Sequence, residues 1–375
     1  MDHSTRREQL SERLAEQEID LLFCPIPGGD AEYLTGFPRR NASFGVYEHS
    51  HMWASGAVIR PGSDPVFVVP RGFSAFNPPG IEGELVSIDY LDDSRATFAD
   101  VIRRHGRPAR VGVSGRTWAT TTLQLLEALP GVDVVDCTEI LARLRWCKSA
   151  GEIEVMERAS QIADTVMAEV TGKVAAGATE LDLASEVDYQ LRRHGAKTPS
   201  FDTGAFAMGV NDARDASTRV SSRVLAEGDA VSFDFGGVVD GYCSDFGRTI
   251  FIGEPDPEYV KCYGLVVAAF DAGVAASVVG ATAADVDRAT RSVIEDAGYG
   301  RWFRHRTGHC IGLDTHERPF LSVDDETPLE AGMAFTIEPS IFWPGKVGAR
   351  LEDLFVLEPG GCRSLNAYPR DLVAV

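Results

Sequence analysis

The stretch AVSFDFGGVVDGYCSDFGRTIF, residues 230–251, holds two acids, Asp234 and Asp245, each set in a run of Val, Ile and Phe that reads as a buried strand. An isolated ionised carboxylate in such a run is costly unless something positive compensates it. The pattern returns nearer the C-terminus: Glu338 lies in FTIEPS and Glu352 in GARLEDLFVL, with His309 of HRTGHCIG between the two pairs. Four carboxylates and one imidazole make a hard, oxygen-rich ligand set, suited to two divalent cations such as manganese, iron, cobalt or zinc rather than to a thiolate site. The set implies a two-metal hydrolase.

An internal repeat explains why the acids come in pairs. Gly177-Ala178-Thr179 and Gly280-Ala281-Thr282 each follow a helical pattern and open another, and Gly195 and Gly298, each 18 residues further on, are placed to end it. Leu183 matches Val286, and Leu191 matches Ile294. Asp234 then lies 39 residues after Gly195 and Glu338 lies 40 after Gly298, with Asp245 and Glu352 following them by 11 and 14 residues. The spacing predicts two similar α/β halves about a pseudo-twofold axis, whose four strands each carry one acid to a central site. Cations held there, roughly 3.5–4 Å apart, can lower the pKa of a bridging water, polarise a carbonyl and stabilise the oxyanion formed on attack.

Upstream, helix and strand signals alternate. Arg6 to Gln17 reads as a polar helix, IDLLFCPI (19–26) as an apolar stretch, and GAVIRPGSDPVFVVP (56–70) as two strands about a turn. Helices near 94–105 and 119–128 and strands at 110–115 and 132–137 complete a compact α/β domain. Ser149, with Glu152 three residues on, opens a long helix and marks the boundary. Residues 1–147 are therefore expected to form one domain and 148–375 a second.

The 36 basic against 56 acidic residues give a net charge of −20, which disfavours nucleic acid and anionic membranes as partners. The start MDHSTRREQLSERL has no basic-then-apolar leader, and no apolar run approaches the ~20 residues that span a bilayer. The seven cysteines are scattered without a CxxC pair, which predicts reduced thiols in a reducing compartment, hence a cytoplasmic protein. Cys243 and Cys310 flank proposed ligands but read as packing residues, as does Tyr242. Trp302-Phe303 reads as half core, half pocket wall.

The strings YLTGF (33–37), RWCKSAGEIEVM (145–156), DFGGVVDGYCSDFGRT (234–249), HRTGHCIGLDTHERP (305–319) and TIEPSIFWPGKVGARLED (336–353) resemble the pita-bread metallopeptidases: Xaa-Pro aminopeptidases, prolidases and their creatinase-like relatives. The resemblance covers nearly the whole chain. It implies a small creatinase/prolidase-like α/β domain followed by a pseudo-twofold pita-bread catalytic domain, α/β and α+β in class. It implies that Asp245 and Glu352 each bridge the two metals, that Asp234 binds one, and that His309 and Glu338 complete the other. Glu338 would also accept the proton of the bridging water. His316 would contact the scissile carbonyl or leaving group, His305 would lie at the substrate pocket, and Arg350 would anchor the acidic ligands. The expected reaction is cleavage of an amide or peptide C–N bond, most like that of an Xaa-Pro aminopeptidase or prolidase, on a short peptide or small molecule.

One string departs from the family. Peptidases of this type carry a histidine in G-x-N-x-x-x-x-H ahead of the first metal strand, and in GVNDARDAST (209–218) counting puts Ala216 there. Asp212, Arg214 and Asp215 charge the same stretch and suggest a polar or charged small substrate. The alternative function is thus a specialised non-peptidase acting on a small zwitterionic metabolite, either a small-amide hydrolase or a lyase of the dimethylsulfoniopropionate type. A third, a binding module without catalysis, fits poorly with a complete ligand set. Relatives commonly form homodimers in which an N-terminal segment reaches the partner's active-site mouth. Here that segment is PRRNASFGVYEHSHMW (38–53), with Arg39, Arg40, Tyr47, His49 and His51.

Overall fold

The computed structural model describes residues 2–26, 28–38, 51–75 without the side chain of residue 73, 81–104, 106–210, 216 and 219–375. Asp2 accepts from the backbone N–H of Ser4 at 2.9 Å and so starts the first helix, His3–Glu16 (α1), three residues before the sequence pattern suggests. Its buried stripe is Arg6, Leu10 and Leu14.

The chain divides into two compact units, Met1–Arg145 and Trp146–Val375. In the first, the elements are Leu21–Pro25 (β1), Gly29–Thr35 (α2), Gly56–Ile59 (β2), Val66–Pro70 (β3), Arg71–Ser74 (α3), Glu84–Ile88 (β4), Ser94–Arg103 (α4), Arg110–Val113 (β5), Ala119–Ala128 (α5), Asp133–Asp136 (β6) and Thr138–Trp146 (α6). The apolar run of β1 is central to the sheet, whose order is β4-β3-β2-β1-β5-β6. Pairs β1/β2 and β2/β3 are antiparallel and the other three are parallel. Phe23, Phe98, Val111 and Leu125 lie in its core.

The second unit repeats one plan. Its first half contains Ala150–Thr171 (α7), Glu180–Arg193 (α8), Gly204–Gly209 (β7), Asp229–Phe235 (β8), the hairpin Val238–Val239 (β9) with Tyr242–Cys243 (β10), and Phe246–Phe251 (β11). The second half contains Pro257–Ala276 (α9), Ala283–Asp296 (α10), Gly308–Cys310 (β12), Glu317–Leu321 (β13), Ala334–Ile337 (β14), the hairpin Ser340–Trp343 (β15) with Val347–Arg350 (β16), Asp353–Glu358 (β17), Gly361–Ser364 (β18) and Val373–Ala374 (β19). The sheets run β19-β11-β8-β7 and β13-β12-β14-β17-β18.

The repeat predicted from sequence is present in side chains as well as backbone. Ser149 and Glu152 form the capping box of α7. Thr179 caps α8 and Thr282 caps α10, while Gly195 and Gly298 take positive φ, 105° and 87°, just beyond the helix ends. Leu183, Leu191, Val286 and Ile294 are buried, the first pair in one apolar core and the second pair in another.

Two expectations need correction. Helix α9 is long and apolar enough to cross a bilayer by length and composition, with mean hydropathy 1.3, although no such run was anticipated; its stripe of Tyr259, Cys262, Tyr263, Val266, Ala269 and Phe270 is buried in the protein core. Nor does each acid lie within a strand. Only Asp234 does, whereas Asp245 precedes β11, Glu338 follows β14 and Glu352 falls between β16 and β17. Strand ends let carboxylates leave the alternation of a pleated sheet and converge from different directions.

Candidate metal centre

Backbone pairing brings the acids together. Gly247 and Glu352 form a bridge outside the named strands, with Glu352 N–H donating to Gly247 O at 2.9 Å and Gly247 N–H to Glu352 O at 3.2 Å. That bridge joins the two sheets and sets Asp245 beside Glu352. Glu338 N–H donates to Thr307 O at 2.8 Å, and His309 N–H to Thr336 Oγ1 at 3.2 Å, so Glu338 and His309 share a strand pair. Two motif glycines are dictated by this closeness: a Cβ on Gly247 would meet Glu352 Oε2 at 2.8 Å, and one on Gly308 would meet Thr336 O at 2.0 Å.

Buried side chains of Asp245, His309 and Glu352 offer ligand atoms within 4.8 Å of one another. His309 Nε2 is 3.3 Å from Asp245 Oδ2 and 3.6 Å from Glu338 Oε1. Its Nδ1 lies 3.1 Å from Cys310 O, an arrangement that leaves the Nε2 lone pair turned to the acids. Asp245 Oδ1 and Glu352 Oε2 are buried without a hydrogen-bond partner. Orphaned carboxylate oxygens are expensive in an apolar interior, and a pair of divalent cations is the group whose charge and ligand preference fit them.

Asp234 is treated differently. Its Oδ2 accepts from Arg350 Nη1 and, at 3.1 Å, from Arg219 Nη1. Arg350 Nη2 lies 3.8 Å from Glu338 Oε2, and Nη1 lies 3.9 Å from Glu352 Oε2. Burial pushes the Asp234 carboxyl up, but Arg350 and Arg219 together hold it below its ordinary value. Burial dominates elsewhere: it raises Asp245 and Glu352, and it carries Glu338 to about 7 despite Arg350 and His309.

A cavity of about 780 Å³ opens onto Asp234, Glu338 and Arg350, and its wall includes His305, His316, Phe320, Phe342, Ala216 and Arg219. Burial keeps both histidines neutral at pH 7, with His305 at about 3 and His316 at about 4. His305 Nε2 is 2.6 Å from Ser340 Oγ, and the His316 ring centroid is 4.2 Å from that of His309. Ala216 packs against Phe206, Met208 and Phe342, so the wall is apolar where an imidazole was looked for.

Cys243 and Cys310 are buried, and burial pushes the Cys310 thiol up to about 12. Tyr242 donates its hydroxyl to Glu152 Oε1 at 2.5 Å, a packing and anchoring role. Phe303 is core and Trp302 stacks on Trp343. Asp212, Arg214, Asp215, Arg39, Arg40, Tyr47 and His49 lie outside the described residues, while His51 is buried within the first unit.

Sequence reading missed Arg219 and the support behind Glu352. Buried Arg248 donates to Glu352 O and, at 2.7 Å, to Asp353 Oδ1. An arginine in DFGRT and an acid in RLED were visible, but their pairing across 105 positions was not.

Residues 154–359 match the model of metallopeptidase family M24, and residues 6–147 match that of the creatinase/prolidase N-terminal domain. A probable dipeptidase of Mycobacterium tuberculosis is 38% identical over 271 residues, 72% of this chain and 71% of its own. An Xaa-Pro dipeptidase of Pyrococcus furiosus is 35% identical over 235 residues, 63% of this chain and 67% of its own. Among solved structures, a prolidase from Thermococcus sibiricus superimposes over the whole of both chains with a TM-score of 0.90 and 28% identity.

Proposed function

Because the chain belongs to metallopeptidase family M24, with a creatinase/prolidase domain ahead of its pita-bread unit, we propose that it is an Xaa-Pro dipeptidase working through two divalent cations. It is a metal-dependent peptidase hydrolase. The observation that carries the two-cation reading is the pair of orphaned oxygens, Asp245 Oδ1 and Glu352 Oε2, on side chains that cluster with His309. Asp234, Asp245, His309, Glu338 and Glu352 are the proposed ligands, and manganese is the preferred ion of a set that also admits iron, cobalt or zinc.

When bound, the cations supply an activated water near neutral pH and a polarised substrate carbonyl. Glu338 accepts the proton of the attacking water on a carboxylate oxygen and returns it to the leaving amine. Neutral His316 donates a hydrogen bond at the scissile group, and His305, braced by Ser340, lines the pocket. Arg350 keeps Asp234 and Glu338 in register. All seven cysteines are unpaired, which supports a reducing, cytoplasmic setting, and we further propose a homodimer, to be checked by light scattering at micromolar concentration.

The test is a screen of Xaa-Pro dipeptides and tripeptides with manganese, cobalt, iron or zinc added to chelator-treated protein. Proline release that requires a cation and is abolished in Asp245→Ala supports the reading; cation-independent release, or full activity in that variant, overturns it. Ala216, standing where peptidases of this type carry a histidine, motivates one second reading, a small-zwitterion enzyme, which silence on every peptide together with turnover of a small zwitterion would establish.

A further inference from the structure

Lys148 and Glu317, 169 positions apart, form an ion pair whose side chains are only 2% and 7% exposed. Lys148 Nζ donates to Glu317 Oε2 at 3.3 Å and to Trp146 O at 3.2 Å, and the Lys148 backbone N–H donates to Gly332 O at 2.8 Å. Glu317 Oε1 accepts from Asp314 N–H at 3.2 Å. Taking two charges out of water is expensive, and a well-packed apolar pair of similar volume is often as stable or more so. Stability alone is therefore a weak reason for this pair, and its place in the fold supplies a better one.

Residues 311–316 join β12, which carries His309, to β13, which starts on Glu317. The turn is tied by Cys243 N–H to Gly312 O at 2.8 Å and by Thr315 Oγ1 to Ser200 O at 3.2 Å. Its returning end closes on the Glu317 carboxylate, which lies so close beneath it that a Cβ on Gly312 would meet Oε1 at 2.7 Å. Successive side chains at a strand start point to opposite faces, so Glu317 turned into the interior sends His316 outward into the cavity wall. There the His316 ring meets that of His309, with centroids 4.2 Å apart. Lys148 thus holds, from behind, the side chain that both closes the turn and sets the direction of its neighbour.

We propose that Lys148 and Glu317 are positioning residues for the reaction: their ion pair holds the 311–316 turn in the one arrangement from which His316 reaches the scissile group. The inference rests on the peptidase reading above, which gives His316 that task. Neither member of the pair is part of the cavity wall, so their loss acts through His316. Misplacing a reacting group by about 1 Å costs on the order of 10²-fold in rate, so a loosened turn should lower kcat by roughly 10- to 100-fold and leave KM and cation content nearly unmoved.

The experiment measures kcat and KM on the Xaa-Pro dipeptide that wild type cleaves fastest, with urea midpoint and metal content recorded for each manganese-loaded protein. The variants are Glu317→Gln, His316→Ala, the two combined, and Lys148→Met with Glu317→Leu, which replaces the ion pair by apolar groups. Support is a kcat loss of roughly tenfold or more in E317Q at unchanged KM, a loss that vanishes in the H316A background. The apolar double variant should keep a urea midpoint near that of wild type while its kcat stays low, an outcome that a purely structural pair does not give. Three results overturn the inference and leave the peptidase reading intact: an E317Q kcat within about twofold of wild type, an equal E317Q loss in the H316A background, or wild-type kcat in the apolar variant. Should H316A turn over too slowly for the cycle, the apolar variant decides; should the apolar variant not fold, E317Q and its cycle decide. No proline release from any Xaa-Pro dipeptide by cation-loaded wild type removes both readings.

Discussion

In the first half of the catalytic unit, α8 begins on Thr179 and stops before Gly195; in the second, α10 begins on Thr282 and stops before Gly298. The frames match, yet the carboxylates they support are handled differently. Asp234, from the first half, is neutralised within the protein by Arg219 and Arg350. Glu352, from the second, is almost fully buried with an oxygen that no donor reaches. Duplicated backbone therefore supplies position, while the charge set around each carboxylate was never duplicated.

That contrast breaks most sharply in paired substitutions. With cations present, Asp234→Asn and Glu352→Gln should each lower kcat/KM by on the order of 10²–10³-fold, the scale set by removing one electrostatic group from a catalytic site. With cations chelated, the two should part company in thermal or urea unfolding. Glu352→Gln removes the charge of a buried carboxylate whose Oε2 accepts no hydrogen bond and should stabilise the protein by about 1–3 kcal/mol. Asp234→Asn strands two guanidinium groups, one of them buried, and should cost about 3 kcal/mol or more. Shifts of the same sign in the metal-free protein would end the distinction.

A second pair tests how each half ties its helix to the site. Asp287 of α10 is fully buried and accepts from Thr307 N–H at 3.1 Å, Thr307 Oγ1 at 2.8 Å and Arg291 at 2.9 Å, fixing the segment that carries His305. Glu180 of α8 accepts from Ala207 N–H at 2.9 Å and Ser221 Oγ at 2.6 Å. Removing the ion-paired acid in Asp287→Ala should cost about 3 kcal/mol. Glu180→Ala, which loses the bonds from Ala207 N–H and Ser221 Oγ, should cost about 1–2 kcal/mol. Denaturant midpoints for the two variants decide the order.

The repeat, the caps and the acids of the cluster were legible in the sequence because each leaves a local mark: a Thr after Gly-Ala, a Gly past the helix end, an acid in an apolar run. Placement at strand ends was not, since Asp245 directly precedes β11 and Glu338 directly follows β14, a difference of one position and less than boundaries can be read from a pattern. Arg219 was invisible for another reason. Its partners, Asp202 and Asp234, lie 17 and 15 residues away, and an arginine in a polar loop carries no periodicity to distinguish a clamp from a solvated charge. Arg248 and Asp353 were similarly hidden, since only the fold makes them neighbours.

Smaller effects sharpen the comparison at the helix starts. Thr179 Oγ1 accepts from Asp182 N–H at 3.0 Å, and Thr282 Oγ1 accepts from Asp285 N–H at 3.1 Å. Each Thr→Ala change should cost about 1 kcal/mol, with Thr282→Ala the larger because Asp285 also accepts from Thr282 N–H at 2.9 Å and that reciprocal box loses its order. Equal shifts in Tm for the two variants would show that the box adds nothing.

That box also carries a pH signature. The backbone N–H of Thr282 and then the Arg288 guanidinium hold the Asp285 carboxyl down at about 2, below its ordinary 3.8. A carboxyl depressed in the folded state stabilises it above the unfolded pKa, and the contribution fades as pH falls through the folded one. Asp285→Asn keeps the side chain's shape and removes its charge. Wild type should therefore exceed D285N in urea midpoint by a constant margin from pH 7 down to about 4, and the margin should close between about 4 and 2. Because Asp285 is exposed, the margin should also shrink in high salt, whereas the reciprocal bond lost in Thr282→Ala should respond less. A margin that persists unchanged at pH 2 would assign the helix start to the threonine alone.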